Sequence, residues 1–444
     1  MLDLGAYLVR DGEIFTYPSA TTTEWPALFP ISWSVDNSSV ASIDELGVLR
    51  GVSPGLTILT LRAGPLTDTT AVRVVAASEA ASVFSSVAIG RIHACAIGPE
   101  NAVFCWGNNS DGQTGYGSAR RFTLTLSPVR AVHSAIASQI SVNGSSACAV
   151  SNAGIASCWG ENRSGELGDG SKTSRAVPVE VSGGHLFRSI GVGVEHVCGL
   201  TTAGAAYCWG DNTQRQLGRP GAESAIPVMV DTDLLFDSVA VGSDFSCGLT
   251  STGQVYCWGS NFGQVLGAPA TVSGSTSPVL VNSPVAFVGI TAGRAHACGL
   301  TAARSAYCWG LNASGQLGID NAQQSVPTPT PVFGDRTWRN ISAGFAHTCA
   351  VADDSTGWCW GSNVFGALGN PAFDDFQLRP IPVDFATAFS RVVAAKGDDA
   401  TCGIDAEGVA YCWGSNTNAK LGIGTYSDTS GRIVRAPRRV ARPL

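Results

Sequence analysis

The chain has 444 residues, of which 44% are hydrophobic and only 14% are charged, and its formal net charge is −7. This composition is typical of a well-packed protein and argues against disorder, and the acidic balance does not favour nucleic acid as a partner. No stretch approaches the roughly 18 continuous apolar residues of a membrane helix, so no membrane span is predicted.

The first 77 residues contain no cysteine and show a hydrophobic alternation of their own. We predict short strands at Ile31–Val35, Ala41–Ile43, Val48–Gly51, Leu56–Arg62 and Thr70–Val75, with turns at Asp44–Gly47 and Pro54–Gly55. The pattern resembles the bacterial immunoglobulin-like domain of group 2, which implies a small β-sandwich acting as a spacer or adhesive module. Upstream of Ile31 the sequence departs from that family. A small polar linker is predicted at 76–82.

From residue 78 onward the chain repeats one unit seven times. Each unit carries two cysteines ten positions apart, and the second cysteine is followed by Trp-Gly-x-Asn. Successive first cysteines are 49 to 53 residues apart, and such a fixed period indicates a repeat architecture. The pairs are Cys95 with Cys105, Cys148 with Cys158, Cys198 with Cys208, Cys247 with Cys257, Cys298 with Cys308, Cys349 with Cys359, and Cys402 with Cys412.

Short segments bounded by glycine or proline predict strands, and not helices, within each unit. In the third unit these segments are Phe187–Gly193, His196–Leu200 and Ala206–Gly210. Between the last two, Thr201–Gly204 ends in a glycine that can take the left-handed conformation of a three-residue hairpin loop. The hairpin places each cysteine opposite its partner.

Opposed residues of an antiparallel pair have Cα atoms close enough for a disulfide. The even count, the identical spacing and the lack of an unpaired cysteine favour seven disulfides over reduced core thiols, which are the main alternative. Zinc fits least well, because its paired ligands normally lie two to four residues apart. Persistent disulfides would imply an oxidising compartment.

One unit shows the motif almost complete. Gly293–Cys298 reads Gly-x-x-His-x-Cys, and Tyr307–Gly318 reads Tyr-Cys-Trp-Gly-x-Asn-x-x-Gly-Gln-Leu-Gly. Over roughly residues 80 to 444 the chain resembles the regulator of chromosome condensation repeats, which implies a seven-bladed β-propeller. The predicted fold is therefore all-β, an immunoglobulin-like sandwich at 1–77 followed by a propeller at 78–444. The doubled cysteine is similar to the version found in exported bacterial members.

The tryptophan after each second cysteine is predicted to be structural core, because contact between blades needs wide apolar surface. The asparagine that follows is expected to bond the backbone of a tight turn. The tryptophans are Trp106, Trp159, Trp209, Trp258, Trp309, Trp360 and Trp413.

Four histidines lie two positions before a first cysteine: His93, His196, His296 and His347. Symmetry would spread them around a ring, too far apart to share a metal, so a structural hydrogen-bonding role is predicted. No arrangement of nucleophile and base, carboxylate pair or phosphate-binding loop is recognisable. We therefore predict a protein that is not an enzyme, with no catalytic residue, cofactor or metal. Single acids at Glu195, Asp244 and Asp398 are candidates for lining one face of the ring.

The sequence predicts an exported or cell-surface binding or structural protein, located outside the cell, in the periplasm or on the surface. Its propeller would bind a protein or other macromolecule, but not nucleic acid, through its loops. Export would require that a leader has been removed or that the start has been placed too late, since Met1–Gly5 does not begin a secretory signal. The loops that differ most between units are 169–176, 219–226, 268–277 and 319–330.

The alternative function is a guanine-nucleotide exchange factor or GTPase regulator, as in eukaryotic members of the family that the chain resembles. An inserted wedge of that kind would lengthen one unit, and a period of 49 to 53 residues leaves little room for it. The oligomeric state is not predicted.

Overall fold

A computed structural model describes residues 7–10, 14–16, 31–44, 48–53, 55–63, 65–75, 83–117, 124–132, 137–373, 375–424 and 433–443. The chain divides into two compact units, 1–81 and 82–443. The predicted linker at 76–82 lies outside the described residues, as do predicted turn residues 45–47 and 54.

The first unit is built from two β-sheets. Its strands are β1 (Tyr7–Arg10), β2 (Ile14–Thr16), β3 (Ile31–Val35), β4 (Ala41–Ile43), β5 (Val48–Gly51), β6 (Gly55–Ala63) and β7 (Leu66–Val75). One sheet has the order β1-β7-β6-β3, with β1 parallel to β7, and the other has the order β2-β5-β4. Val40, Ala41, Leu49, Leu59 and Val72 form a buried cluster. All strands predicted from Ile31 onward are present, and β6 and β7 are longer than predicted because they form one hairpin.

The second unit consists of seven four-stranded antiparallel sheets, and each sheet is one sequence repeat with its strands in consecutive order. Blade 1 contains β8 (Ser86–Ile89), β9 (His93–Ile97), β10 (Val103–Asn108) and β11 (Leu124–Arg130), and blade 2 contains β12 (Ala137–Asn143), β13 (Ser146–Ser151), β14 (Ala156–Gly160) and β15 (Arg175–Glu180). Blade 3 contains β16 (Phe187–Val192), β17 (His196–Thr201), β18 (Ala206–Gly210) and β19 (Ser224–Met229), and blade 4 contains β20 (Ser238–Val241), β21 (Phe245–Leu249), β22 (Val255–Ser260) and β23 (Gly274–Leu280).

Blade 5 contains β24 (Gly289–Ala292), β25 (His296–Leu300), β26 (Ala306–Leu311) and β27 (Ser325–Pro331), and blade 6 contains β28 (Trp338–Ala343), β29 (His347–Ala352), β30 (Gly357–Ser362) and β31 (Phe376–Pro382). Blade 7 contains β32 (Phe389–Ala394), β33 (Ala400–Asp405), β34 (Ala410–Ser415) and β35 (Ile433–Arg439). The helical segments within the described ranges are short 3-10 turns at Pro99–Asn101, Phe262–Gln264 and Thr417–Ala419. The first strands of successive blades contact one another around a closed ring, and β32 meets β8 to complete it. This is the predicted seven-bladed propeller.

Each blade carries one disulfide between its second and third strands, with a Cα separation of 4.0–4.1 Å. The predicted pairing is present in the structure and the alternative of reduced thiols is not. The bonds join Cys95 to Cys105, Cys148 to Cys158, Cys198 to Cys208, Cys247 to Cys257, Cys298 to Cys308, Cys349 to Cys359, and Cys402 to Cys412.

The hairpin loop between the paired cysteines keeps its shape even where the sequence changes. In the third blade, Gly204 takes the left-handed conformation of a three-residue loop, with φ of 89°. Arg304 and Ser355 take that conformation in blades 5 and 6, with φ of 62° and 68°. The loop therefore does not depend on glycine at this position.

The repeated geometry between blades centres on the tryptophans, all of which are 0% exposed. Trp209 packs in one cluster with Cys148 and Cys158 of the preceding blade, and its indole Nε1 donates a hydrogen bond to the Glu166 carbonyl at 2.9 Å. All seven indoles bond the same position of the preceding blade, at 2.8 to 3.1 Å. Because Trp106 bonds the Lys420 carbonyl in blade 7, the ring is closed by the same contact that joins every other pair of blades.

The asparagine of each unit holds the turn that follows the third strand. Asn212 Oδ1 accepts the Leu217 N–H at 3.1 Å, while its Nδ2 donates to the carbonyls of Arg219 and Gly221. An equivalent Oδ1 contact to the residue five positions on is present in all seven blades. This is the backbone-bonding role expected from the sequence.

Buried histidines also link neighbouring blades. The ring Nε2 lies 2.9 to 3.0 Å from a hydroxyl just before the first cysteine of the next blade, in the pairs His196–Ser246, His296–Thr348 and His347–Thr401. The Thr348 hydroxyl donates to the Gln316 carbonyl at 2.7 Å, so it must accept from His296 Nε2. Burial lowers the pKa of His196 and of His296 to about 3, which keeps both rings neutral at physiological pH.

His93 is the exception, because Ala147 occupies the hydroxyl position opposite it. Both ring nitrogens of His93 are buried and have no hydrogen-bond partner. We expect Ala147→Ser to raise the free energy of unfolding by about 1 kcal/mol, since it supplies the missing bond, and urea denaturation would measure the change. Ala297→Ser is the matched control, because Ala297 holds the same position opposite Phe245, where no histidine is available. An equal gain in unfolding free energy in both variants would show that the gain does not come from a hydrogen bond to His93.

Candidate functional site

One end of the ring is formed by the loops between the first and second strands of each blade. The third strands end there too, since His196 and Gly210 are paired at the ends of their strands. We call this end the channel-loop face, and the opposite end, with the hairpin turns and the crossovers between blades, the hairpin face. The seven short loops of the channel-loop face are 90–92, 144–145, 193–195, 242–244, 293–295, 344–346 and 395–399.

The loop of blade 7 is longer than the others. Six residues separate the paired Ala394 and Thr401, whereas four separate the equivalent Ala343 and Thr348 in blade 6. The Nζ of Lys396, in the extra segment, donates to the carbonyl of Val241 in blade 4 at 2.6 Å. Burial lowers the pKa of Lys396 to about 8. The lysine thus connects two blades that are not neighbours around the ring.

A buried ion pair anchors the same loop. Lys420 is 0% exposed and its Nζ bonds the carboxylate of Asp398 as well as the hydroxyls of Ser415 and Thr417. Burial opposes ionisation of Asp398, but the adjacent Lys420 more than offsets this and holds the pKa of the carboxyl below its usual value. Lys420 occupies the position that is glutamine in blades 1, 3 and 5.

We expect Asp398→Asn to destabilise the protein by about 3 kcal/mol, because it leaves Lys420 buried without its main counter-charge. Asp320→Asn is the control, because Asp320 forms an exposed ion pair with Arg379 and its loss should have little effect. Urea denaturation of both variants would measure the difference. Equal stability of the two variants would show that the Lys420 pair does not hold the loop.

Acidic side chains gather beside these loops in blades 2 to 4. We call Glu161, Glu195, Asp211 and Asp244 the acidic cluster. Burial, together with repulsion from Asp211, raises the pKa of Glu195 and of Asp244, and Glu161 and Asp244 add to the repulsion at Glu195. Of the three acids singled out from the sequence, Glu195 and Asp244 belong to this cluster, whereas Asp398 forms an ion pair with Lys420.

A groove of about 580 Å³ opens between blades 4 and 5 on the same face, and we call it the aromatic groove. Its walls include Asp244, Phe262, Gln264 and Arg294. Phe262 is 58% exposed. The guanidinium carbon of Arg294 lies 5.9 Å from the centre of the Phe262 ring and 4.6 Å from that of Phe345 in blade 6.

Phe262 and Phe345 were not predicted as functional residues. A signal was available for Phe262, because it directly follows the asparagine of its unit, where four of the other units have a serine, arginine or threonine. The fourteen cysteines and seven tryptophans singled out from the sequence are buried inside and between blades, so they shape the face without contributing side chains to it.

Within the described ranges, no group of three histidine, cysteine, aspartate or glutamate side chains is placed to hold a metal ion. No helix among the residues that the structure describes has the length and apolar character needed to cross a bilayer.

Two family models match the chain, and both describe the regulator of chromosome condensation (RCC1) repeat. One matches residues 84–113, 187–216, 236–264, 287–316 and 338–367, and the other matches residues 203–249, 252–300 and 305–351.

Relatives with curated descriptions include the E3 ubiquitin-protein ligase HERC2 of Homo sapiens, which is 31% identical over 156 residues. That match covers 34% of this chain and 3% of the ligase, so this chain spans a very small part of that relative. The ultraviolet-B receptor UVR8 of Arabidopsis thaliana is 27% identical over 353 residues, which cover 77% of this chain and 68% of the receptor.

Solved structures with the same fold include Prp20p from Saccharomyces cerevisiae, with a TM-score of 0.67 and 20% identity over 81% of this chain and 88% of that chain. Human WBSCR16 gives a TM-score of 0.68 and 21% identity over 77% of this chain and 94% of that chain. At these identities the likeness establishes the fold alone.

Proposed function

Because this chain carries RCC1 repeats closed into a seven-bladed β-propeller, we propose that it is an exported or cell-surface protein whose disulfide-linked propeller is a scaffold for protein interaction. The observation that carries the proposal is the channel-loop face. Seven blades with the same hydrogen-bonded frame present loops of different chemistry there, including the acidic cluster and the aromatic groove. A rigid repeat scaffold with variable loops is a common basis for specific binding.

The location outside a reducing cytosol is supported by the disulfides. All fourteen cysteines are paired, and each pair is buried within its blade. Each disulfide also packs in one cluster with the tryptophan of the next blade. Fourteen thiols maintained in seven such bonds fit an oxidising compartment.

The first unit is proposed to be an immunoglobulin-like spacer that precedes the propeller. Its two sheets, with a shared cluster around Leu49, Leu59 and Val72, support this assignment. The propeller itself is proposed to act by binding, without catalysis or a cofactor. Nucleic acid is a poor partner for the acidic cluster in a chain with a net charge of −7.

Chemical cross-linking of the protein in the cells that produce it, followed by mass spectrometry of the linked peptides, tests the proposal. We expect cross-links from loops of the channel-loop face to another protein, recovered from the surface or secreted fraction. Recovery of the protein only from the cytosol, or cross-links confined to this chain, would contradict the proposal.

The alternative remains a regulator of a small GTPase, for which the RCC1 repeats are the supporting observation. The first-to-second-strand loops of blades 1 to 6 contain two or three residues each, and Lys396 and Lys420 hold the longer loop of blade 7 in place. Neither feature resembles an inserted wedge. Measuring nucleotide release from a small GTPase with and without this protein separates the two functions, and acceleration would favour the alternative.

A further inference from the structure

We propose that the aromatic groove and the acidic cluster together bind a segment of a partner protein in which an apolar side chain is flanked by lysine or arginine. The inference rests on the proposed function, that the propeller is a protein-interaction scaffold, and adds the location of the contact and the chemistry of the partner.

The groove has the composition of an interface centre. Aromatic residues and arginine are enriched where binding energy concentrates, and here Arg294 lies between two phenylalanine rings from the blades on either side. Phe262 leaves more than half of its side chain exposed, although burial would be favourable for a ring of this size. In blade 6 the same turn presents Val364 and Phe365, which are 51% and 39% exposed. This face therefore offers apolar surface that a partner side chain would cover.

The acidic cluster supplies the charge preference. Arg163 pairs with Glu161 at 2.8 Å, and the charge of Arg294 acts on Asp244. Glu195 has the carboxylates of Asp211, Glu161 and Asp244 around it, and their repulsion adds to the effect of its burial. A cationic side chain brought by a partner would relieve this repulsion.

The two surfaces are continuous, because Asp244 belongs to the acidic cluster and also lines the groove. A ligand that fills the groove therefore places its neighbouring residues beside carboxylates. This arrangement favours a peptide segment with both kinds of side chain over nucleic acid or an anionic membrane, whose phosphates the cluster would repel.

The test is to pan a phage-displayed library of random dodecapeptides against the full chain with its disulfides intact, then to measure the affinity of the enriched peptides by fluorescence anisotropy. We expect peptides with lysine or arginine close to an aromatic or large aliphatic residue. Phe262→Ala should weaken their binding by at least about tenfold, and so should the double variant Glu195→Gln with Asp244→Asn. Raising the salt concentration should weaken binding to the unaltered protein.

Leu235→Ala is the matched control, because Leu235 is 61% exposed and lies in a crossover on the hairpin face. It should leave peptide affinity unchanged, and all variants should keep the thermal midpoint of the parent. Peptides without basic residues, no enrichment at all, or affinities insensitive to Phe262→Ala would overturn the inference. Binding of duplex DNA or anionic vesicles in place of peptides would overturn it as well.

The outcomes also separate this inference from the function on which it rests. If cross-linking in cells places a protein partner on the hairpin face, the scaffold function stands and only the inferred site fails. If no partner protein is found on either face, the scaffold function fails, and the site fails with it.

Discussion

Replacing Trp209 by alanine is expected to lower the free energy of unfolding by about 3–5 kcal/mol, the usual cost of removing a fully buried large side chain. The ring packs against a disulfide of the preceding blade and lies 5.7 Å from the ring of Phe187. Its loss also removes the hydrogen bond to the Glu166 carbonyl, which would remain buried without that donor. Urea denaturation with the disulfides intact would measure the effect.

Trp358→Ala is the control for this result. Trp358 also lies in a third strand, but it is partly exposed and its ring is covered by Arg336, with the guanidinium carbon 3.6 Å from the ring centre. We expect its replacement to cost about 1–2 kcal/mol, clearly less than that of Trp209, because the ring is only partly buried where it packs against the core of blade 6. Similar losses in the two variants would contradict the assignment of Trp209 to the joint between blades.

Mild acid is expected to destabilise the propeller by about 3 kcal/mol between pH 6 and pH 5. Burial lowers the pKa of His93, His196 and His296 to about 3, whereas each would titrate near 6.5 in the unfolded chain. Between those values the unfolded state binds more protons, so stability falls as the pH falls. Burial raises the pKa of Glu166 to about 7, which has the opposite sign and offsets about 1 kcal/mol of the loss that the histidines alone would cause.

Unfolding free energies measured at a series of pH values would test this expectation. His196→Phe is the informative variant, since blade 4 already has phenylalanine, Phe245, at this position. Removing one of the three titrating rings should reduce the fall in stability over this interval by about 1 kcal/mol. The same fall in the variant and the parent would show that these histidines do not control the acid response.

Much of the propeller was predictable because its determinants are local. The hairpin between paired cysteines is set by spacing and turn residues, so the register of Cys198 with Cys208 followed directly from the sequence. The repeated tryptophan indicated a buried joint, but the hydrogen-bond partner of Trp209 lies more than forty residues earlier in the chain and is a backbone carbonyl, which no side-chain pattern reveals.

The contacts between blades were harder to predict, because their partners lie in different sequence units. The His296 pair depends on Thr348 in the next unit, and the rule becomes visible only when both positions are compared across all blades. The additional residues around Lys396 leave the spacing of the last unit within the range of 49 to 53 residues found for all units, so the spacing did not reveal them. The aromatic groove combines Phe262 of blade 4 with Arg294 of blade 5, and Arg294 also contacts Phe345 of blade 6, so these residues become adjacent only after the blades have packed together.

The most direct test of a disulfide-linked scaffold that works outside the cytosol is mass spectrometry of its cysteines. The protein would be taken from the cells that produce it, alkylated under denaturing, non-reducing conditions, and mapped by its peptides. We predict seven pairs, each within one blade as in Cys95–Cys105, and no alkylated thiol. Fourteen alkylated cysteines would contradict the account and would direct attention to the intracellular GTPase-regulator alternative.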